Sequence, residues 1–147
     1  MESRTTDSWI LVSDAMLDVG AADSALRDER AGGVCIFVGT TRRFTGESET
    51  AELRYDAFSE MAMEEMARLA KEAADKWPVV RAVLHHRTGV VRPAEASVLV
   101  GVACPHRGDA FEAARFLIDS LKERVPVWKK EIYSDGSTEW VEPGRTP

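Results

Sequence analysis

The chain has 147 residues, of which 44% are hydrophobic, a length and composition typical of one globular domain with a substantial core. Its formal net charge of −6 argues against general nucleic-acid binding, which draws its affinity from neutralising phosphates. No apolar run approaches the roughly 20 residues that a membrane helix needs, and the N-terminus lacks the pattern of a secretory signal. We therefore expect a single cytoplasmic domain over residues 1–147, with no membrane segment and a loose tail at about 143–147.

The first part of the chain predicts two strands separated by a short helix. The apolar run Trp9–Val12 has the length of a strand, and Asp23 is placed to cap a helix that continues to Arg30. A β-branched run at 34–38 predicts the second strand. The stretch at 44–50 is polar and shows no apolar periodicity, so we expect a mobile loop there.

The middle and the end of the chain predict further strands around a long helix. Weak alternation at 52–58 and the apolar runs at 80–86 and 98–103 favour strands. Ser59 is expected to cap a long helix that continues to Lys76. A turn signal divides 132–141 into a hairpin. The order of elements predicts an α+β fold in which helices pack on a mixed or antiparallel sheet.

A last helix follows the 98–103 strand. Asp109 and Glu112 have the spacing of a capping box, and Pro126 is expected to end the helix at Val125. Its apolar stripe is expected to comprise Phe111, Ala114, Ile118, Leu121 and Val125.

Cationic side chains stand at both ends of this last helix. His106 and Arg107 lie where a strand meets a helix N-terminus, a place that favours an anion. Lys122 lies near the other end of the helix, and Lys129 follows just beyond it. If the chain turns back after the helix, both groups are expected to face one cleft. Such local basic groups in an acidic chain suit a small anionic ligand.

The cysteines and histidines of the chain permit other chemistries. Cys35 and Cys104 both fall in predicted strands, which favours reduced, buried thiols, although Cys104 stands two residues before His106 and leaves a thiol enzyme open. His85 and His86 are adjacent on a strand and point to opposite faces, so the sequence predicts no metal site.

Lysine chemistry is what remains. The sequence has no nucleophile elbow, no phosphate loop of the Walker type and no dinucleotide fingerprint. Lys122 follows the apolar Leu121 near other cations, which pushes the pKa of a lysine down and makes it a usable acid, base or nucleophile. A solvated lysine at a helix end is the alternative.

Several short motifs, taken in order, resemble the large, catalytic subunit of molybdopterin synthase over roughly residues 30–142. The most specific is the run Lys122–Glu131, which reads K-x-R-x-P-x-W-K-K-E. The others are Gly39–Arg42, Pro105–Arg107, Phe111–Ala113 and Trp140–Glu142.

The resemblance implies an α/β hammerhead-type fold and a homodimer that binds two copies of a small ubiquitin-like sulfur-carrier subunit, forming a heterotetramer. The carrier's C-terminal Gly-Gly thiocarboxylate would enter the active site. Sulfur would be delivered twice to cyclic pyranopterin monophosphate, which yields the dithiolene of molybdopterin for molybdenum cofactor biosynthesis. This scheme needs no redox cofactor and no metal.

The resemblance also implies roles for individual residues. Lys122 matches the main catalytic lysine and Lys129 the second essential one. Arg42, His106 and Arg107 match residues that bind the pterin and its phosphate, and some pocket residues in this family come from the neighbouring subunit. Two alternatives stay open on the residues alone, a non-catalytic module that binds an anionic pterin and a Cys104-dependent thiol enzyme.

Overall fold

The computed structural model describes residues 1–141. Its helices are α1 (Val19–Leu26), α2 (Ser59–Lys76) and α3 (Arg107–Arg124). Its strands are β1 (Glu2–Arg4), β2 (Ser8–Ser13), β3 (Gly33–Thr40), β4 (Phe44–Thr45), β5 (Ser48–Ala57), β6 (Arg81–Arg87), β7 (Gly89–Val91), β8 (Ala96–Cys104), β9 (Val127–Tyr133) and β10 (Thr138–Val141). Glu142 and the tail predicted at 143–147 lie outside the described residues.

The main sheet is mixed and has five strands in the order β1-β2-β6-β8-β3. Strands β2 and β6 run parallel, whereas the other neighbours are antiparallel. The central strands β6 and β8 are buried along almost their whole length, because α2 and α3 pack on one face and α1 packs on the other. This architecture confirms the predicted α+β class.

A second, smaller sheet lies beside the end of α3. It has the order β10-β9-β5-β4, with β7 also paired to β5. Helix α3 ends where the Val125 N–H donates to the Leu121 carbonyl at 3.0 Å, and Pro126 prevents its continuation, as predicted. Because β9 begins at Val127, the second sheet starts directly beside the last turn of α3.

The first helix begins and ends earlier than predicted, since it stops at Leu26 and does not continue to Arg30. Asp18, not Asp23, is its N-cap, and the Asp18 carboxylate accepts from the Ala21 N–H at 2.9 Å. Asp23 lies inside the helix and pairs with Arg27 at 2.9 Å. The two aspartates are equally plausible caps by residue type, so the residue type alone does not choose between them.

The start of α3 also differs from the prediction. The helix begins at Arg107 with His106 as N-cap, and no side chain caps it, so the predicted capping box is wrong. Phe111 is 64% exposed and does not belong to the buried stripe. That stripe comprises Ala110, Ala113, Ala114, Leu117, Ile118 and Leu121.

The stretch predicted as a loop at 44–50 is a tight hairpin. Phe44 pairs with Glu49 and Thr45 with Ser48, and Gly46 at the turn has a φ of 62°. Glycine adopts this left-handed conformation without steric cost, which permits so short a connection.

The end of the long helix and the last hairpin agree with the prediction. Helix α2 ends at Lys76 as expected, but its N-cap is Phe58, without a side-chain capping bond, so the predicted cap at Ser59 is wrong. Strands β9 and β10 form the predicted antiparallel hairpin. Cys104 in β8 is a buried free thiol as predicted, whereas Cys35 in β3 is a free thiol that is only half-buried. Within residues 1–141, no helix combines the length and apolar character needed to span a membrane.

Candidate active site

A pocket of about 360 Å³ opens where the two sheets meet the last turn of α3. The main sheet contributes the end of β3 and the start of β8, and the second sheet contributes β5, β9 and β10. The ladder between β3 and β8 is irregular here, because Gly39 pairs with Val98 while Thr40 pairs with Ala96. Ser97 is thus an extra residue on β8, a bulge of the kind that often borders active sites.

Three of the cations predicted from the sequence line this one pocket. Arg42 follows β3, Lys122 lies on the last turn of α3, and Lys129 lies on β9. They come from three separate elements, so the fold, rather than local sequence, brings them together. An acidic chain therefore presents a cluster of positive charge to the pocket.

The electrostatics of Lys129 reflect this convergence. Burial lowers the pKa of Lys129, the positive charges of Lys122 and Arg42 lower it further, and the carboxylate of Glu131 opposes them. A lysine in this setting exchanges a proton more readily than a solvated one.

Acidic and aromatic side chains that sequence reasoning did not select complete the wall. Glu131 lines the pocket and accepts a hydrogen bond from Thr50 Oγ1 at 2.5 Å. Tyr133 donates to Glu139 at 3.0 Å, and this bond raises the pKa of Tyr133 to about 12. Glu131 lies inside the most specific sequence motif, so the sequence could have indicated it as a pocket residue. No motif indicates Tyr133 or Glu139.

A buried histidine lies behind the pocket wall. The His86 ring packs against Tyr55, a pocket residue, with centroids 5.2 Å apart, and His86 Nδ1 donates to the Arg87 carbonyl at 2.8 Å. Burial lowers the pKa of His86 to about 4, and the charge of Lys122 acts in the same direction. His86 is therefore neutral at physiological pH and adds no further charge to the cation cluster.

His106 and Arg107 do not reach this pocket within one chain. They lie exposed at the N-terminus of α3, and Lys122 lies on its last turn. At a rise of about 1.5 Å per residue, the two ends are separated by about 22 Å. The expectation that both groups face one cleft of the same chain is therefore wrong.

The thiol chemistry left open by the sequence finds little support. Cys104 is fully buried, and burial raises the pKa of its thiol to about 11. Very little thiolate would exist at neutral pH, and the thiolate is the reactive form.

The adjacent histidines His85 and His86 lie against different aromatic rings. His85 packs against Trp9, whereas His86 packs against Tyr55.

Fold and pocket together define an α+β protein that gathers lysine and arginine side chains from separate elements around one pocket. A family model described as MoaE protein matches residues 12–124. A molybdopterin synthase catalytic subunit of Taeniopygia guttata is 39% identical over 138 residues, covering 92% of this chain and 89% of that protein. The chain belongs to the MoaE family.

Solved structures agree with this assignment. A molybdopterin synthase from Staphylococcus aureus has a TM-score of 0.84 at 32% identity, covering 88% of this chain and 94% of the other. A complex of subunits 1 and 2 of the molybdopterin-converting factor from Helicobacter pylori has a TM-score of 0.73 at 20% identity, covering 92% and 90%. The latter likeness is one of fold.

Proposed function

We propose that this chain is the catalytic subunit of a molybdopterin synthase, which transfers sulfur from the C-terminal thiocarboxylate of a small carrier subunit to cyclic pyranopterin monophosphate. The observation that carries the proposal is the convergence of Arg42, Lys122 and Lys129 on one pocket in an acidic protein of the MoaE family. Both proposed reactants are anions, which such a pocket attracts.

The lysines would hold the thiocarboxylate and manage protons during transfer. Lys129 is half-buried with a lowered pKa, and Lys122 is exposed on the last turn of α3. A positive charge beside the attacking sulfur stabilises the negative charge that develops on the substrate. Each transfer would leave the carrier with a carboxylate, so water must supply one oxygen atom. Lys122 would act as the positive charge, and the neutral form of Lys129, which its lowered pKa makes more accessible, would accept a proton from that water.

Arg42 would bind the phosphate of the pterin, since guanidinium groups bind phosphate oxygens through paired hydrogen bonds. In the described part of the chain, Arg42 makes no ion pair, and it lines the pocket. Its guanidinium is therefore available to a ligand.

His106 and Arg107 would serve the pocket of a second copy of the chain. Strand β3 is the edge of the main sheet, and Phe37 near its middle is 40% exposed. One end of β3 lies at the pocket, and at the other end a Cβ on Gly33 would lie 3.0 Å from Arg107 Cα. A two-fold axis that passes beside the middle of β3, outside the edge of the sheet, would set the second copy's β3 alongside in the opposite direction and bring its Arg107 towards Arg42.

The small carrier subunit is the second proposed partner. The Helicobacter pylori neighbour is a complex of two subunits, which supports a two-subunit enzyme here. A chain terminus ending in two glycines has no side chains near its reactive group, so it suits a pocket walled by two sheets and a helix end.

The proposal is tested by reconstitution with thiocarboxylated carrier and cyclic pterin, with the dithiolene product as the readout. We expect Lys122→Ala to lower the rate by about 100-fold or more. Lys71→Ala, which changes an exposed lysine on α2, is the matched control and should retain full activity. Pterin binding without turnover by the wild-type protein would instead indicate a non-catalytic binding module, and a normal rate for Lys122→Ala would remove the mechanism.

A further inference from the structure

A turn between β7 and β8 holds the backbone of Thr41, the residue that precedes Arg42. The Thr41 N–H donates to the Glu95 carbonyl at 3.1 Å, and the Ala94 N–H donates to the Thr41 carbonyl at 2.8 Å. Both polar groups of the Thr41 backbone are therefore fixed by one short segment. The next residue in the chain carries the pocket guanidinium.

The Glu95 side chain ties this turn to the end of β6. Glu95 Oε2 accepts from Arg87 Nη1 at 2.8 Å, and Glu95 Oε1 accepts from the Arg92 N–H at 3.2 Å. Only 11% of the Arg87 side chain and 22% of the Glu95 side chain are exposed, so solvent weakens this ion pair less than a surface pair. The hydrogen bond from Arg87 is the main cause of a lowered pKa at Glu95.

The backbone of the turn is itself unusual. Ala94 has a φ of 70°, a left-handed conformation that residues other than glycine seldom adopt. Such a conformation persists only where surrounding contacts enforce it. Here the contacts with Thr41 and the carboxylate of Glu95 supply that constraint.

The end of β3 requires such a support. The bulge at Ser97 interrupts the β3–β8 ladder between Gly39 and Thr40, and β3 ends at Thr40. Beyond that point the ladder no longer holds the chain, although Thr41 is only 5% exposed. The 94–95 turn takes over the backbone bonds that β8 no longer provides.

We propose that Glu95 and Arg87 are positioning residues that fix the Thr41 backbone and thereby direct the Arg42 guanidinium at the anionic group of the substrate. This inference rests on the proposed function, in which Arg42 binds the phosphate of the pterin. Glu95 and Arg87 contact no substrate; they act through Arg42.

The test is a double-mutant cycle between Glu95→Gln and Arg42→Ala, with KM for the cyclic pterin and kcat measured at saturating carrier. Glu95→Gln keeps the shape of the side chain and removes the charge. We expect it to raise KM about tenfold and to change kcat little, because a charge-assisted bond that aims a binding group is lost. In the Arg42→Ala background, Glu95→Gln should cause almost no further increase in KM.

Asp28→Asn is the matched control. It removes the charge from another ion pair of β6, in which Arg81 Nε lies 3.2 Å from Asp28 Oδ2 at the opposite end of the strand. This variant should leave KM unchanged. Two variants of the turn avoid the ion pair altogether: Ala94→Gly should retain the wild-type KM, whereas Ala94→Val, which resists a positive φ, should raise it.

Each result bears on the proposal. An unchanged KM for Glu95→Gln, or effects of Glu95→Gln and Arg42→Ala that multiply, would overturn the positioning role. A wild-type protein that forms no dithiolene would instead overturn the proposed function. The positioning role would then be decided by measuring the affinity of the same variants for inorganic phosphate. Glu95→Gln and Ala94→Val should bind phosphate more weakly than the wild type, and Asp28→Asn and Ala94→Gly should bind it equally well.

Discussion

Lys129 stands directly opposite Tyr55 across the β5–β9 ladder, and both side chains line the pocket. Burial and the positive charge of Lys122 lower the pKa of Lys129. The phenol ring of Tyr55 forms one wall of the pocket beside an ammonium group that is partly withdrawn from water. The proton affinity of Lys129 is therefore set by its neighbours on other elements.

Removing the charge of Lys122 should raise the pKa of Lys129. In Lys122→Gln the like charge is absent, so the ammonium form of Lys129 costs less and its pKa moves back towards the ordinary lysine value. Titration of the lysine side chains by carbon-13 NMR measures this shift. Lys71→Gln, on the exposed surface of α2, serves as the control, and an unmoved Lys129 in Lys122→Gln would show that the two groups are not coupled.

Replacing His85 should stabilise the protein. His85 is 1% exposed, and neither ring nitrogen has a hydrogen-bond partner within the described residues. His85→Leu removes two unpaired polar atoms, and we expect the free energy of unfolding at pH 7 to rise by about 1–2 kcal/mol. Urea denaturation measures the change, and a destabilised variant would show that the nitrogens are satisfied.

The same histidine makes stability fall in acid. Burial lowers the pKa of His85 from 6.5 to about 4, so between these values the unfolded chain binds a proton that the folded chain does not. Above pH 6.5 His85 is neutral in both states and adds no pH dependence, whereas the free energy of unfolding falls as the pH drops towards 4, because folding must then remove a proton from this histidine.

His85→Leu should reduce this slope without abolishing it, since the pKa of His86 is also lowered to about 4. Denaturation curves collected between pH 4 and 7 measure the slope, and the exposed His106→Leu is the control. If stability falls equally steeply with pH in His85→Leu and in the wild type, buried His85 is not a cause of the acid sensitivity.

The glycine at the end of β3 should tolerate no side chain. A Cβ on Gly39 would lie 2.6 Å from Val98 Cγ1, beside the pocket, whereas a Cβ on Gly108 would meet nothing within 4 Å. We expect Gly39→Ala to lower the free energy of unfolding by about 1–3 kcal/mol and to reduce activity, because the β3–β8 ladder must shift. Gly108→Ala, in helix α3, should instead raise it by about 0.5–1 kcal/mol. Thermal melts compare the two, and equal effects would contradict the packing argument.

Much of the fold could be predicted because its patterns are long. The helix at Ser59–Lys76 has a clear period and ends at the predicted residue, and the strands at 81–87 and 96–104 lie within two residues of their predicted bounds. The weak alternation at 52–58 located a strand but not its start, which is at Ser48. Short elements could not be settled in the same way. Asp18 and Asp23 are both good caps by residue type, and Phe111 fits a helical stripe as well as Ala110 does, so the choice depends on contacts between distant elements.

The candidate site was also predictable only in part. Arg42, Lys122 and Lys129 were selected by motif, and the fold brings them to one pocket. The distance between Lys122 and Arg107 was misjudged, because the straight α3 helix keeps its two ends apart. The sequence indicates a turn at 90–95, but not that its backbone hydrogen bonds hold Thr41, because no single residue type encodes such bonds.

Mixed dimers should reveal whether Arg107 serves the neighbouring pocket. If it does, a dimer of one Lys122→Ala chain and one Arg107→Ala chain contains one pocket with both defects and one pocket with none. Random mixing of two inactive variants should then restore roughly one quarter of the wild-type activity, because half of the dimers are mixed and each has one intact site. Product formation after co-refolding measures the recovery. Mixing Lys122→Ala with Lys129→Ala is the control, since both changes belong to the same chain's pocket and each mixed dimer keeps no intact site. Equal recovery in the two mixtures, or none in either, would place Arg107 outside the neighbouring site.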